Sequence, residues 1–255
     1  MIKESNPYVS VIMPSYNSAD FIELAVNSVL QQTFDNFELI IIDDCSSDNT
    51  RDILQKISKT DERIRLVLSD KNEGAAITRN KGLDLCRGTF VALIDSDDIW
   101  AKEKLELQVA AAQSSNADIV YCSYSIIDEN GNKKCREFIV PEKTDFKDTL
   151  NVSVISCSTA LLSRKIVDKY RFPTDFYHED YALWLSILKD GYSAAGLTEV
   201  LAEYRVRGDS RASNKLSSAK NRWNIYRKFL HLPLTSCIFH FVQYGVLGFI
   251  KYKNI

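Results

Sequence analysis

Short apolar runs alternate with amphipathic stretches over the first half of the chain. Residues 8–13, Tyr-Val-Ser-Val-Ile-Met, predict a strand closed by Pro14, with a turn over residues 15–18. From about Ala19 to Gln32 the spacing predicts a helix with Phe21, Leu24, Ala25 and Ser28 on one face. Residues 37–42, Phe-Glu-Leu-Ile-Ile-Ile, read as a second buried strand that ends in Asp43 and Asp44. Ser46, Ser47 and Asp48 then offer caps to a helix carrying Ile53, Leu54 and Ile57. A third strand is predicted at Ile64–Leu68, a third helix at Gly74–Cys86 and a fourth strand at Thr89–Ile94. Strand and helix alternating through short loops predict an α/β fold, a mostly parallel sheet with helices on both faces.

Beyond Trp100 the pattern gives a helix over Lys102–Gln113 and a strand over Asp118–Ser123. It changes near Tyr124. Residues 128–132, Asp-Glu-Asn-Gly-Asn, carry a hairpin turn signal inside the stretch 126–140. Ser156–Leu162 reads as a further strand, and Tyr181–Leu188 as a helix ended by Asp190-Gly191. No repeat and no linker divides residues 1–210, so one body is expected there, followed by a helical tail over 211–255.

The fourth predicted strand runs straight into Asp95, Asp97 and Asp98. Carboxylates cannot stay in an apolar layer, so they leave the sheet at the strand's C-terminal end, where open α/β sheets bind ligands. Three within four positions repel one another unless a cation sits among them, and hard oxygen ligands suit a divalent ion shared with a phosphate. The competing reading is a strand end with helix-capping Asp residues. Asp43 and Asp44 end a second strand in the same way, so both ends are expected to line one crevice.

Composition narrows the picture. A hydrophobic fraction of 45% and a charged fraction of 26% are those of a soluble globule. Six cysteines lack paired metal spacing and read as reduced thiols of a cytosolic protein. The opening Met1-Ile2-Lys3-Glu4 leads into a turn and a strand, so no secretory leader is expected. Net charge is −2, but eight of the 32 Lys and Arg residues lie beyond residue 210, where there is no acid. The rest of the chain carries 24 basic residues against 34 acidic ones. That acidic body argues against nucleic acid as a partner. Neither a dinucleotide glycine fingerprint nor a phosphate-binding P-loop is present. A bound diphosphate would therefore be neutralised by metal and side chains.

Three further groups carry chemistry. Asp44 with Pro14 and Tyr16 could hold a nucleobase, the carboxylate accepting from a ring N–H and the aromatic stacking; or Asp44 caps the next helix. His178-Glu179-Asp180 precedes an apolar helix, where Asp180 is either a cap or a general base. Arg205, Arg207, Arg211 and Lys215 form a basic run suited to phosphate oxygens, or a solvated loop.

Taken in order, Val9–Asn17, Ser28–Phe34, Glu38–Asp44, Asn72-Glu-Gly74, Arg79-Asn80, Asp95-Ser-Asp-Asp98 and Glu179-Asp180 resemble the family 2 glycosyltransferases. The resemblance covers about residues 7–215. It implies the nucleotide-sugar-binding GT-A fold, with a donor half over about 1–123 and an acceptor half over about 124–210. It implies an inverting hexosyl- or N-acetylhexosaminyltransferase that uses a UDP-sugar and Mn²⁺ or Mg²⁺. Pro14, Tyr16, Asn17 and Asp44 would surround the base, Arg79 would hold the nucleotide, and Asp95 with Ser96 would approach the ribose. Asp97 would be the metal ligand and Asp180 the catalytic base. Many relatives carry His where this chain has Arg207, so Arg207 is expected to contact the diphosphate. Asp98 is left to cap the helix after Trp100. The other readings, a sugar-nucleotide nucleotidyltransferase or a non-catalytic nucleotide-sugar-binding protein, lack support: the glycine-rich basic loop of the former is missing, and Asp97 and Asp180 are both present.

In the tail, Leu216, Ala219, Trp223, Tyr226 and Leu230 recur at helical spacing with Lys220, Arg222, Arg227 and Lys228 between them, and Pro233 breaks the helix. Leu234–Ile250 is nearly uncharged but short for a spanning helix. Residues 216–255 are expected to lie on an anionic membrane, at the cytoplasmic face of the inner membrane, where a glycan or lipid-linked acceptor would be met. The alternative is packing against the body or in an oligomer.

Overall fold

The computed structural model describes residues 6–134, 137–207 and 215–253. Its sheet is built on β1 (Val9–Ser15), every residue of which is buried. The flanking strands, β2 (Phe37–Asp43) and β4 (Phe90–Leu93), are both parallel to β1, and β3 (Ile64–Leu68) lies beyond β2. Pro14 does not close β1: it still pairs with Ile42. Its missing N–H falls beyond the last β1–β4 pair, Ile12 with Leu93, at a position a strand tolerates.

The other half of the sheet is mixed. A three-residue strand, β7 (Leu161–Ser163), runs antiparallel between β4 and β6 (Ile119–Ile127). β6 pairs in parallel with β8 (Ala194–Arg205) through a register shift at Ser123, and β5 (Ile99–Trp100) runs antiparallel on β8. The order is β3-β2-β1-β4-β7-β6-β8-β5.

Side chains alternate between two cores, as the pleat requires. Val9, Val11, Met13, Leu39 and Ile41 face α1 (Ile22–Leu30), α2 (Thr50–Ile57) and α4 (Lys104–Ser115). Ile12, Ile40 and Ile42 face α3 (Ala75–Leu85), α6 (Arg164–Lys169) and α7 (Glu179–Lys189). Gly82 of α3 lets that helix approach closely: a Cβ there would strike the side chain of Ile12 and come 3.1 Å from Ile42. A third cluster joins Leu150 of α5 (Phe146–Asn151) and Tyr181, Ala182 and Leu185 of α7 to Ile225, Tyr226, Leu230 and Cys237 of the tail.

Several local expectations change. The inner face of α1 is Ile22, Ala25, Val26 and Val29, while Leu24 is 55% exposed. Ser156–Leu162 is not one strand. Thr159 exchanges hydrogen bonds with the backbone of Ser156, closing a 3-10 turn over Cys157–Thr159 that leaves only β7 for pairing. The hairpin over 126–140 forms as isolated antiparallel bridges, Ile127 to Lys133 and Tyr124 to Phe138, with the Asp128 carboxylate accepting from the N–H groups of Asn130 and Asn132. Five cysteines are free thiols; Cys135 lies outside the described residues, as do Arg211 and the expected boundary at residue 210.

Candidate active site

The crevice lies where β1, β2 and β4 end together. After β1 the backbone turns at Asn17, whose φ of 47° is in the left-handed region that Asn tolerates. Asn17 N–H donates to Ser46 Oγ at 2.9 Å and its side-chain oxygen accepts from Ser47 N–H at 2.8 Å, joining the β1 and β2 loops. Tyr16 stays 48% exposed at this rim, and Pro14 is buried beneath it in β1. Asp43 is structural: it is fully buried and paired with Arg51 Nε at 2.6 Å. Asp44 does not cap α2. Its two oxygens accept from Glu73 N–H at 3.0 Å and Gly74 N–H at 2.7 Å, fixing the turn that opens α3.

At the end of β4 the three carboxylates separate. Asp98 turns inward, 1% exposed; it accepts from the Ser158 hydroxyl and from Arg205 N–H at 2.8 Å. It therefore caps no helix; α4 begins at Lys104. Burial and the neighbouring carboxylates push the Asp98 carboxyl well above its ordinary range. Asp95 and Asp97 keep 30% and 25% of their side chains exposed, with Ser96 half-buried between them. Burial, reinforced by the Asp95 charge, pushes Asp97 up to about 6, against the pull of Arg207 and Arg205.

Arg79 lies beneath these residues. It is buried, with Nη2 at 2.6 Å from Asp95 Oδ1 and Nη1 at 2.7 Å from Glu179 Oε1. Both ends of its guanidinium fork are thus committed to carboxylates, one on the β4 loop and one on α7. Nearby acids raise its already high pKa further, outweighing the effect of burial. The fork brings the start of α7 to the crevice, and with it Asp180. Burial, with the adjacent Glu179 charge, raises Asp180 to about 6 despite Arg79; its Oδ1 accepts from Tyr181 N–H at 2.7 Å.

Arg207 Nη1 stands 3.9 Å from Asp97 Oδ2, so the structure brings this predicted residue to the predicted metal ligand. Arg205 takes another role. It is buried, and its side chain donates to the carbonyls of Asp97 at 2.8 Å and Asp128 at 2.9 Å, clamping the acidic loop to the hairpin. Both guanidiniums lie over the ring of Phe21, at 4.8 and 5.5 Å.

Ser158 escaped the sequence reading. Its hydroxyl accepts from Asp95 N–H at 3.0 Å while donating to Asp98, and its carbonyl accepts from Trp100 Nε1 at 2.7 Å. The signal was the run of hydroxyls at Ser156, Ser158 and Thr159, too polar for a buried strand. Arg222 was also misplaced on the polar face of the tail. It is buried, 4.1 Å over the ring of Tyr181 and 3.1 Å from its hydroxyl, directly after Asp180.

Among the described residues no group of three or more His, Cys, Asp or Glu side chains forms a closed metal site. With Asp98 turned away, Asp95 and Asp97 offer hard oxygen donors at a partly open crevice. Asp97, pushed up by burial and by its neighbour's charge, is a carboxylate that a cation would stabilise. Such a donor set fits a hard divalent ion that completes its shell with ligand phosphates and water.

The family model for glycosyl transferase family 2 matches residues 10–171. The chain belongs to glycosyl transferase family 2. Among relatives, TuaG of Bacillus subtilis, a glycosyltransferase named for teichuronic acid biosynthesis, is 42% identical over 94% of this chain and 95% of its own. A second, WfgD of Escherichia coli, is named as a UDP-Glc:α-D-GlcNAc-diphosphoundecaprenol β-1,3-glucosyltransferase. It is 40% identical over 96% of this chain and 97% of its own. The fold of this glycosyltransferase is the GT-A arrangement of its structural neighbours. TarS 1–349 of S. aureus in complex with UDP superposes with a TM-score of 0.72 at 21% identity, covering 92% of this chain and 70% of that one. The mannosyltransferase PcManGT of Pyrobaculum calidifontis, solved with GDP-Man and Mn²⁺, gives 0.70 at 22% identity, over 90% and 66%.

Proposed function

We propose that the enzyme moves a hexosyl or N-acetylhexosaminyl group from a UDP-sugar to a hydroxyl of a lipid-linked glycan, with inversion, in bacterial surface polysaccharide synthesis. One observation carries this reading: the Arg79 fork holds the loop of Asp95 and Asp97 and the helix start at Asp180 to one crevice. The likeness to WfgD, named for a diphosphoundecaprenol acceptor, supports the substrate class.

Tyr16 is exposed to stack on a base, and Asn17 and Pro14 set the floor beside it. Asp44, already holding two backbone N–H groups, retains lone pairs for a ring N–H. Asp95 and Ser96 approach the ribose, and Arg207 contacts the diphosphate. Asp97 would hold Mn²⁺ or Mg²⁺, which when bound neutralises charge on the departing diphosphate. Asp180 takes the proton from the acceptor hydroxyl. That oxygen bonds to the anomeric carbon as the bond from carbon to phosphate oxygen breaks, and UDP leaves with the electron pair. Arg79 is a positioning residue in this scheme. The exposed apolar side of the tail, with the tail's excess of basic residues, supports peripheral contact with an anionic membrane at its cytoplasmic face.

The test is a panel of nucleotide-sugars incubated with a sugar diphosphate lipid acceptor, read as metal-dependent UDP release and as the anomeric configuration of the product. Turnover that survives chelation would remove the metal, and retained configuration would remove the inverting base.

A further inference from the structure

A cleft of about 510 Å³ lies between the loop that leads to Asp180 and the tail, apart from the nucleotide crevice. Asn221, Asn224 and Lys228 line it. Spaced three and four residues apart, they share one face of α8 (Lys215–Asn224) and the π turn Ile225–Phe229 that extends it. His231 completes this wall, and its φ of 54° lies in the left-handed region, where His is found more often than most residues. A π turn and a left-handed residue within seven positions are the kind of backbone irregularity that gathers at binding sites. Phe176 and Phe229, edge to face at 5.2 Å, close one side, and Asp175 is the one carboxylate among the described lining residues.

The two polar atoms of the Asn221 amide tie the cleft to chemistry. Asn221 Oδ1 accepts from Tyr177 N–H at 3.0 Å, three residues before Asp180. The Nδ2 of the same amide is buried and has no hydrogen-bond partner. An unused donor on a residue that lines the same cleft as Lys228 and His231 suits an anionic oxygen. Three residues past His231 begins α9 (Leu234–Lys253), whose Leu234, Ile238, Phe239, Val242 and Val246 form an exposed apolar stripe. A polar cleft followed by an apolar stripe matches an amphiphile with a phosphate head.

We propose that this cleft binds the phosphate-bearing end of the lipid-linked acceptor, Lys228 supplying the positive charge and His231 a ring N–H. The proposal rests on the acceptor class given above and adds the subsite that holds it. Asn221, hydrogen-bonded to the loop before Asp180, places the bound acceptor's sugar toward the base.

The full chain is titrated calorimetrically with farnesyl diphosphate, without divalent metal so that the nucleotide crevice does not compete. Lys228→Ala combined with His231→Asn should weaken binding by about tenfold or more, as expected for the loss of charge-assisted contacts. Farnesol, which lacks phosphate, should bind both proteins equally. Asp175→Asn should tighten farnesyl diphosphate several-fold by removing a like charge. Unchanged affinity in the double variant, or an equal loss for farnesol, overturns the proposal. So does a loss confined to phosphatidylglycerol vesicles, which would make the cleft a phospholipid headgroup site. Lys228 and His231 are exposed, so an unaltered thermal midpoint is expected. If wild-type protein fails to bind UDP with Mn²⁺ while farnesyl diphosphate still binds in a Lys228-dependent way, the donor assignment fails and the cleft stands.

Discussion

Arg79 Nη1 lies 2.7 Å from Glu179 Oε1, joining residues one hundred positions apart. The other arm of the fork reaches Asp95. A single guanidinium therefore couples the acidic loop after β4 to the helix that presents Asp180.

Breaking that coupling should cost both fold and function. Arg79→Met takes the guanidinium away from Glu179, a carboxylate with 8% side-chain exposure, and stability should fall by about 3–5 kcal/mol. Arg79→Lys keeps the charge but cannot span both acids, so it should recover part of the stability and little of the turnover. Urea unfolding and UDP release measured on the same samples check this. Wild-type midpoints in Arg79→Met would show that the fork is dispensable.

Asp180→Asn should abolish transfer while stabilising the protein. In the folded state Asp180 is raised to about 6, above its ordinary value of 3.8. The folded state thus holds that proton more tightly than the unfolded chain. The penalty of ionising it is fully present above about pH 6 and vanishes below the ordinary carboxylate range. Removing the charge should gain about 1–3 kcal/mol at pH 7.5. A variant that keeps its transfer rate would refute the base.

The same shift sets the acid limb of activity. With saturating Mn²⁺, kcat/KM should fall about tenfold per pH unit below about 6, as the base becomes protonated. When the metal is limiting the fall should steepen, because protons compete with the cation at Asp97. A profile flat down to pH 4.5 would exclude Asp180 as the titrating group.

Arg222 caps the ring of Tyr181 at 4.1 Å and donates to the Leu150 carbonyl at 3.3 Å, so the tail braces the start of α7. Arg222→Met should lower kcat more than it raises the donor KM, since the braced residue follows the base. Steady-state kinetics normalised to the concentration of UDP-binding sites distinguish this from a general loss of folded enzyme, which would leave kcat per binding site unchanged.

Ile238→Asp with Val242→Asp should release the protein from phosphatidylglycerol vesicles in sedimentation assays and leave its thermal midpoint in place, because both side chains are half exposed. Removing residues 216–255 altogether is a poorer test. It would strip Ile225, Tyr226 and Leu230 from a buried cluster and destabilise α7. No described helix is long and apolar enough to cross a membrane.

Much of the crevice at the ends of β1, β2 and β4 was legible in the chain. The acid-ended strands after Ile42 and Ile94 and the order of the motifs gave the crevice and its family, because alternating apolar runs and strand-end carboxylates are local signals. The division of labour among those acids was not. Asp43, Asp44, Asp95, Asp97 and Asp98 look alike in sequence, yet three of them, Asp43, Asp44 and Asp98, are buried by partners from other segments: Arg51 for Asp43, the N–H groups of Glu73 and Gly74 for Asp44, and Ser158 with Arg205 for Asp98. The inner face of α1 was misjudged because several near-equal apolar positions surround it, and only contact with the sheet selects Ile22 and Val26 over Leu24.

The sequence by itself determined the strand–helix alternation, the acids at strand ends, the missing glycine-rich phosphate loops and the basic bias of the tail. Each follows from residue type and short-range spacing. Only the tertiary structure decided that Arg79 faces two carboxylates, that Arg222 lies over Tyr181 within the protein, and that Asn221, Lys228 and His231 share a cleft near the loop before Asp180. Those outcomes depend on which distant side chain neutralises or shields a buried charge, and that choice is made by packing.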